Sequence, residues 1–214
     1  MQILLEKSAL NGRWADMISL NQMRKIVFDI ETSNIFSEVG SNNPADLSIS
    51  VVGIYEYEKD LYSAFLVEEF GKLWPIVENT DAFITFNGDH FDIPLLDKYY
   101  SGDLFKIKSV DLLKEMQKSA GRRMKLDQIA EGTLGVNKSG DGMDAVRWWK
   151  EGEIEKVKKY CLDDVRITKD LYEYALKESK LIFKEGGKLN EVKLDTSVWE
   201  TSPTSSALNY TLPF

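Results

Sequence analysis

The sequence predicts a mixed-sheet α/β fold, and three observations carry that prediction. Strand-like segments come first and are followed by alternating strands and helices. The earliest strand, over 25–30, is a near-continuous apolar run through Ile26, Val27, Phe28 and Ile30, as a central strand buried on both faces requires. A long segment over 153–178 repeats Ile154, Val157, Cys161, Val165, Thr168, Tyr172 and Ala175 at helical spacing, which marks one amphipathic helix.

The remaining elements follow in order. Residues 1–22 show little periodicity and read as a short helix or an extension. A β-rich run over 47–57, a turn at Glu58-Lys59-Asp60 and a run over 61–67 complete a three-stranded meander with the first strand. A helix is expected over 68–78, its path disturbed by Pro75. A short strand over 82–86 ends at Asn87-Gly88, and a helix over 93–100 tolerates Pro94 in its first turn. A short strand over 108–111 precedes helices over 112–119 and 125–133. The Gly- and Asp-containing stretch 135–144 reads as a loop. Gly186-Gly187 closes the helical region. Val192, Leu194, Thr196 and Val198 then alternate with polar residues as a possible last strand, before a Ser/Thr-rich tail. The expected organisation is an extension over 1–22, a catalytic-size domain over 23–185, and a hairpin or flexible tail over 186–214.

Composition narrows the class. The chain has 214 residues, 43% hydrophobic and 29% charged, enough for one globular core. One cysteine, Cys161, rules out an intramolecular disulfide and fits a reducing compartment. With no apolar run of membrane-spanning length and no signal-peptide pattern, the expected location is the cytoplasm, with no membrane partner. The net charge of −8 argues against a generic nucleic-acid binder. It does not argue against an enzyme whose carboxylates hold divalent cations, with a local basic rim drawn from Arg122, Arg123, Lys125, Lys156, Lys158 or Lys159. Each of those residues also fits a solvated helix face.

Three short stretches concentrate acids. In Phe28-Asp29-Ile30-Glu31-Thr32, Asp29 and Glu31 alternate with apolar residues and so share one face of the strand. Like charges on a buried face are costly, and a divalent cation compensates them; a solvent-facing strand end is the alternative. In Phe86-Asn87-Gly88-Asp89-His90-Phe91-Asp92, the acid Asp92 follows the end of a strand, where α/β sheets bind ligands, or else caps the next helix. His90 reads as a turn residue. In Tyr160-Cys161-Leu162-Asp163-Asp164, Tyr160 and Asp164 lie four apart on one helix face, whereas Asp163 points about 100° away. An ordinary amphipathic helix with Tyr160 at the core edge is the alternative.

Together, in this order, the stretches resemble the three motifs of the DEDD exonuclease superfamily, whose domain has the ribonuclease H-like fold. Asp29-x-Glu31 is similar to the first, Asn87-x-x-x-Phe91-Asp92 to the second, and Tyr160-x-x-x-Asp164 to the third in its tyrosine form. The histidine form is disfavoured, because Lys159 stands where its histidine belongs. The resemblance spans roughly 25–178; its second motif looks closest to YprB-type ribonuclease H-like exonuclease domains and to the proofreading domain of family B DNA polymerases, with the YprB type placed first. It implies a ribonuclease H-like mixed β-sheet flanked by helices and two cations, Mg²⁺ or Mn²⁺. Asp29, Glu31, Asp92 and Asp164 would hold the cations, and Tyr160 would orient the attacking water. Thr32, Asn87 and Phe91 would touch the substrate.

The implied activity is 3′→5′ exonucleolytic hydrolysis of single-stranded nucleic acid from its 3′ end, with DNA placed ahead of RNA. Three other readings compete with it. They are a catalytically silent nucleic-acid-binding module of the same fold, a proofreading-type domain acting with a separate polymerase, and an endonuclease or resolvase.

Overall fold

The structure is a computed structural model and describes residues 23–136, 140 and 142–201. Five strands form one mixed sheet. Strand β1 (Lys25–Thr32) lies at its centre, between β2 (Ile49–Glu56) and β4 (Ala82–Thr85). Strands β3 (Leu61–Phe65) and β5 (Lys108–Asp111) form the edges, giving the order β3-β2-β1-β4-β5. The β1–β2–β3 meander is antiparallel, and β4 and β5 run parallel to β1. This is the expected α/β architecture of a ribonuclease H-like fold.

A one-turn helix, α1 (Phe36–Val39), follows β1. Alternation along β1 sorts its side chains into two layers. Ile26, Phe28 and Ile30 point into a core shared with α2 (Phe70–Glu78) and α3 (Asp92–Asp97). Val27 points the other way, into a core built with α4 (Leu112–Ala120), α5 (Leu126–Leu134) and α7 (Ile154–Glu178). Asp29 and Glu31 share the parity of Val27 and therefore meet α7.

Helix α7 packs on the sheet directly over Gly53. Gly53 pairs with Asp29 across β1 and β2. A Cβ at Gly53 would stand 2.8 Å from the Cys161 sulfur and 3.2 Å from Val165 Cγ2. The missing side chain lets the helix settle onto the strand that carries the acids.

Two expectations are corrected. The helical region does not continue to Gly186-Gly187. It stops at Ser179, whose φ of 52° ends α7, and Lys180–Glu185 is strand β6. The cause is period-two burial: Leu181 and Phe183 enter the core while Lys180 and Lys184 face outward. Gly186 and Gly187, with φ of 55° and 78°, turn the chain into β7 (Lys188–Lys193). Thr196 and Val198 lie beyond that strand. Gly132 of α5 leaves room for the hairpin, since its Cβ would meet the Ile182 carbonyl at 2.5 Å.

The stretch read as a loop over 135–144 gives way at Gly142 to helix α6 (Gly142–Lys150), which buries Ala145, Val146 and Trp148. The helix over 68–78 is α2 preceded by a single 3₁₀ turn, and Pro75 sits inside it. The segment 1–22 and the tail from 202 lie outside the described residues. No helix among the described residues is long and apolar enough to cross a membrane.

Candidate active site

The end of β1 and the middle of α7 bring three carboxylates together. Oxygens of Asp29, Glu31 and Asp164 lie within 4.8 Å of one another. Glu31 and Asp164 are buried, at 6% and 5% exposure, and Asp29 is half-buried. Asp163 stands on the outer side of α7, paired with Lys159 and Arg166.

Cys161, one turn before Asp164, donates its thiol to the Asp29 backbone carbonyl at 3.3 Å. Burial, and then the charge of Asp29, Glu31 and Asp164, push that thiol well above its ordinary pKa. A neutral thiol packs but does not ligate a hard cation. The donor set is therefore oxygen-only, as Mg²⁺ or Mn²⁺ requires.

Asp92 joins the site through the backbone of β1. It is 4% exposed, and its Oδ1 accepts the backbone N–H of Ile30, the residue between Asp29 and Glu31, at 3.0 Å. Asp92 is the first residue of α3, and Phe91 takes the cap position. Asp92 stands outside the 4.8 Å cluster. Burial, and next the charge of Asp29, raise its carboxyl well above the usual range. Such a group favours a proton unless a cation replaces it. The residues present thus fit a divalent cation.

The turn that delivers Asp92 is held from below. Asn87 adopts φ of 71°, and a Cβ on Gly88 would stand 2.3 Å from Thr85 Oγ1. Beneath the turn, buried Asp111 accepts the backbone N–H groups of Asn87 and Asp89, and it also caps α4. Its pKa is raised by burial. His90 is an exposed turn residue, and its backbone N–H donates to the Asn87 carbonyl.

Tyr160 sits one turn before Asp164 on the same face of α7, 3% exposed, with its ring edge-on to Trp148 at 5.8 Å. Its hydroxyl donates to the Gly140 carbonyl at 3.4 Å. Thr32, Asn87 and Phe91 line a cavity of about 540 Å³ with Asp29, Glu31 and Asp92. The hydroxyl of Thr32 donates to the Asn34 carbonyl, and Phe91 packs edge-on against Phe36. Tyr160 does not line this cavity. Its partner Gly140 lines a neighbouring one of about 650 Å³, together with Asp29, Asp164, Arg123 and Lys125.

Most of the basic rim resolves into surface pairs. Arg122 grips Glu185 with two N–H groups, Lys156 and Lys158 pair with Glu153 and Glu155, and Lys159 pairs with Asp163. Sequence reasoning missed Asp111 and Gly53. Asp111 carried a faint signal, as an acid ending one short strand where a helix begins. Gly53 carried none.

A family model of the RNase H superfamily matches residues 26–176. No match is found among curated proteins. Among solved structures, the family B DNA polymerase from the hyperthermophilic archaeon Pyrobaculum calidifontis superposes with a TM-score of 0.54 at 20% identity, over 72% of this chain and 24% of that one. That likeness is one of fold, and it spans only about a quarter of the polymerase. With the mixed sheet, the flanking helices and a family match over most of its length, the chain belongs to the RNase H superfamily.

Proposed function

We propose that this chain is a divalent-cation-dependent 3′→5′ exonuclease of the tyrosine-type DEDD group, acting on single-stranded 3′ ends. The observation that carries the reading is the convergence of Asp29, Glu31 and Asp164 oxygens within 4.8 Å, with buried Asp92 bonded to the Ile30 N–H between the first two and lining one cavity with them. A buried, oxygen-only cluster of this density is unfavourable without a cation. The fold likeness to a family B polymerase agrees with the resemblance of the second motif to proofreading domains.

In this reading Asp29, Glu31, Asp92 and Asp164 hold two cations. Bound there, the cations stabilise charge on the attacking and leaving oxygens of an in-line displacement. Phe91 and Phe36 form an apolar wall against which a terminal base packs, and Thr32 and Asn87 offer polar contacts beside it. Tyr160 orients the attacking water by hydrogen bonding, and the rigid α7 keeps its distance to Asp164 constant.

The test is a time course on 5′-labelled single-stranded DNA and RNA with Mg²⁺ or Mn²⁺. Successive shortening from the 3′ end that stops in chelator is the expected result. Internal cuts alone, or cleavage that persists in chelator, would overturn the proposal. A 3′-blocked strand separates the endonuclease reading, and absence of turnover on every strand would point to the silent binding module.

A further inference from the structure

We infer that the cavity on the Arg123 side of Asp29 is the channel for the strand lying 5′ of the scissile bond, with Arg123 as its phosphate clamp. This rests on the exonuclease reading and deepens it.

Two cavities meet along a ridge made by Asp29, Phe86, Asn87 and Gly142. They differ in chemistry. The first is walled by Ile35, Phe36, Leu47, Phe91 and Val146, and no lysine or arginine among the described residues lines it. It suits a base and sugar and offers nothing to a further phosphate. The second carries Arg123 and Lys125 beside Asp127 and Gln128, and both Asp29 and Asp164 line it. A strand with its last phosphodiester at the carboxylates has to continue past them, carrying one negative charge per nucleotide. On a chain of net charge −8, the side with cations is the side it can take.

Arg123 is placed for this task. One of its terminal N–H groups donates to Asn87 Oδ1 at 2.6 Å, which puts the guanidinium on the ridge between the cavities. The described contacts engage one of five donors in a planar fork that matches phosphate. Its neighbour Arg122 is turned away, bound to Glu185 and stacked over Phe183. Arg123 is thus the basic residue that reaches both the ridge and the polar channel.

The experiment compares wild type with Arg123→Gln on two substrates. One is a 5′-labelled single-stranded 12-mer. The other is the p-nitrophenyl ester of thymidine 5′-monophosphate, in which nitrophenyl replaces everything 5′ of the scissile bond. The expected loss of kcat/KM is about tenfold greater on the 12-mer than on the ester, carried by KM. The slope of log KM against log salt for the 12-mer should fall by about 0.7, one phosphate contact on a single strand. Arg123→Lys, which keeps the charge, should recover most of that slope. Equal losses on both substrates would overturn the inference, because Arg123 would then only brace the Asn87 turn. So would an unchanged 12-mer KM.

If wild type hydrolyses neither substrate, the exonuclease reading fails separately. Fluorescence anisotropy of the labelled 12-mer then decides the channel. Weaker binding by Arg123→Gln with a shallower salt slope supports it, and equal binding overturns it.

Discussion

Asp111 Oδ1 accepts the backbone N–H of Asn87 at 2.8 Å, and the same oxygen accepts those of Leu113 and Lys114. Its other oxygen takes the N–H of Asp89 at 3.2 Å. One buried carboxylate thus ties the helix it caps to the turn that delivers Asp92. In Asp111→Asn the amide keeps an oxygen for Asn87 but presents an N–H₂ group to the Asp89 N–H. The expected cost is about 1–3 kcal/mol of stability, from leaving buried donors unsatisfied. Turnover should drop about tenfold or more, because a small shift of Asp92 misplaces a ligand. Val77→Ala, which loosens α2 on the far core, is the control and should lose stability but keep turnover. Denaturant melts and single-turnover kinetics on both proteins check this.

Cations should stabilise the folded chain. Ligand bound only by the native state at a hundred times its Kd adds about 2.7 kcal/mol, or about 5–10 °C in Tm for a chain of this size. Millimolar Mn²⁺ should produce that shift in wild type, and Asp29→Asn should lose most of it. Calorimetry with and without chelator decides; equal shifts in both proteins would place the ions elsewhere.

The Asp92 shift gives the pH dependence in chelator. Its folded pKa lies above the unfolded value of about 3.9, so the folded state binds more protons across the window between them. Stability therefore falls as pH rises from about 4 toward the raised pKa. Asp92→Asn should flatten that slope and be more stable than wild type at neutral pH without metal. A pH series of urea melts in chelator measures both effects, and an unchanged slope in the variant would contradict the assignment.

Tyr160→Phe keeps the ring on Trp148 and removes one hydroxyl. The expected result is kcat lowered about 10- to 100-fold with metal affinity nearly unchanged. Asp164→Asn should weaken both. Full activity in Tyr160→Phe would leave Tyr160 as a packing residue, and metal titrations by calorimetry separate the two variants.

Gly53→Ala tests the close approach of α7. The added methyl meets the Cys161 sulfur at 2.8 Å, so overpacking of about 1–3 kcal/mol and weaker metal binding are expected. Removing the sulfur by Cys161→Ala in the same chain should recover part of both. A double-mutant cycle showing strict additivity would rule out the contact as the cause.

How far the sequence could be read depended on where each constraint originates. The strand carrying Asp29 and Glu31 was legible because burial on both faces writes itself as an apolar run. The helix of Asp164 was legible because a periodicity sustained over many turns outweighs local noise, and the same periodicity separates Asp164 from Asp163. Strand β6 was hidden because its two inward residues, Leu181 and Phe183, continue directly from a helix with no proline or glycine between. Helix α6 was hidden by the glycines and aspartates around its start. Asp111 and Gly53 were obscure for another reason. One acts through backbone N–H groups, and the other through an element that arrives much later in the chain, so neither leaves a local pattern.

That late arrival has a kinetic consequence. The Cys161–Asp29 contact joins residues 132 positions apart, so the two halves of the carboxylate cluster meet through one of the longer loop closures in the molecule. Closure of this kind is slow and comes after local helices and hairpins have formed. During synthesis, β1 is exposed long before α7 exists, and a chain still lacking α7 holds Asp29 and Glu31 without Asp164. Such an intermediate has no assembled carboxylate cluster, so under the proposed function a nascent or unfolded copy would not cut nucleic acid beside the ribosome. The carboxylate cluster is complete only once α7 has packed on β1, which makes cation binding at that cluster a reporter of this long-range packing.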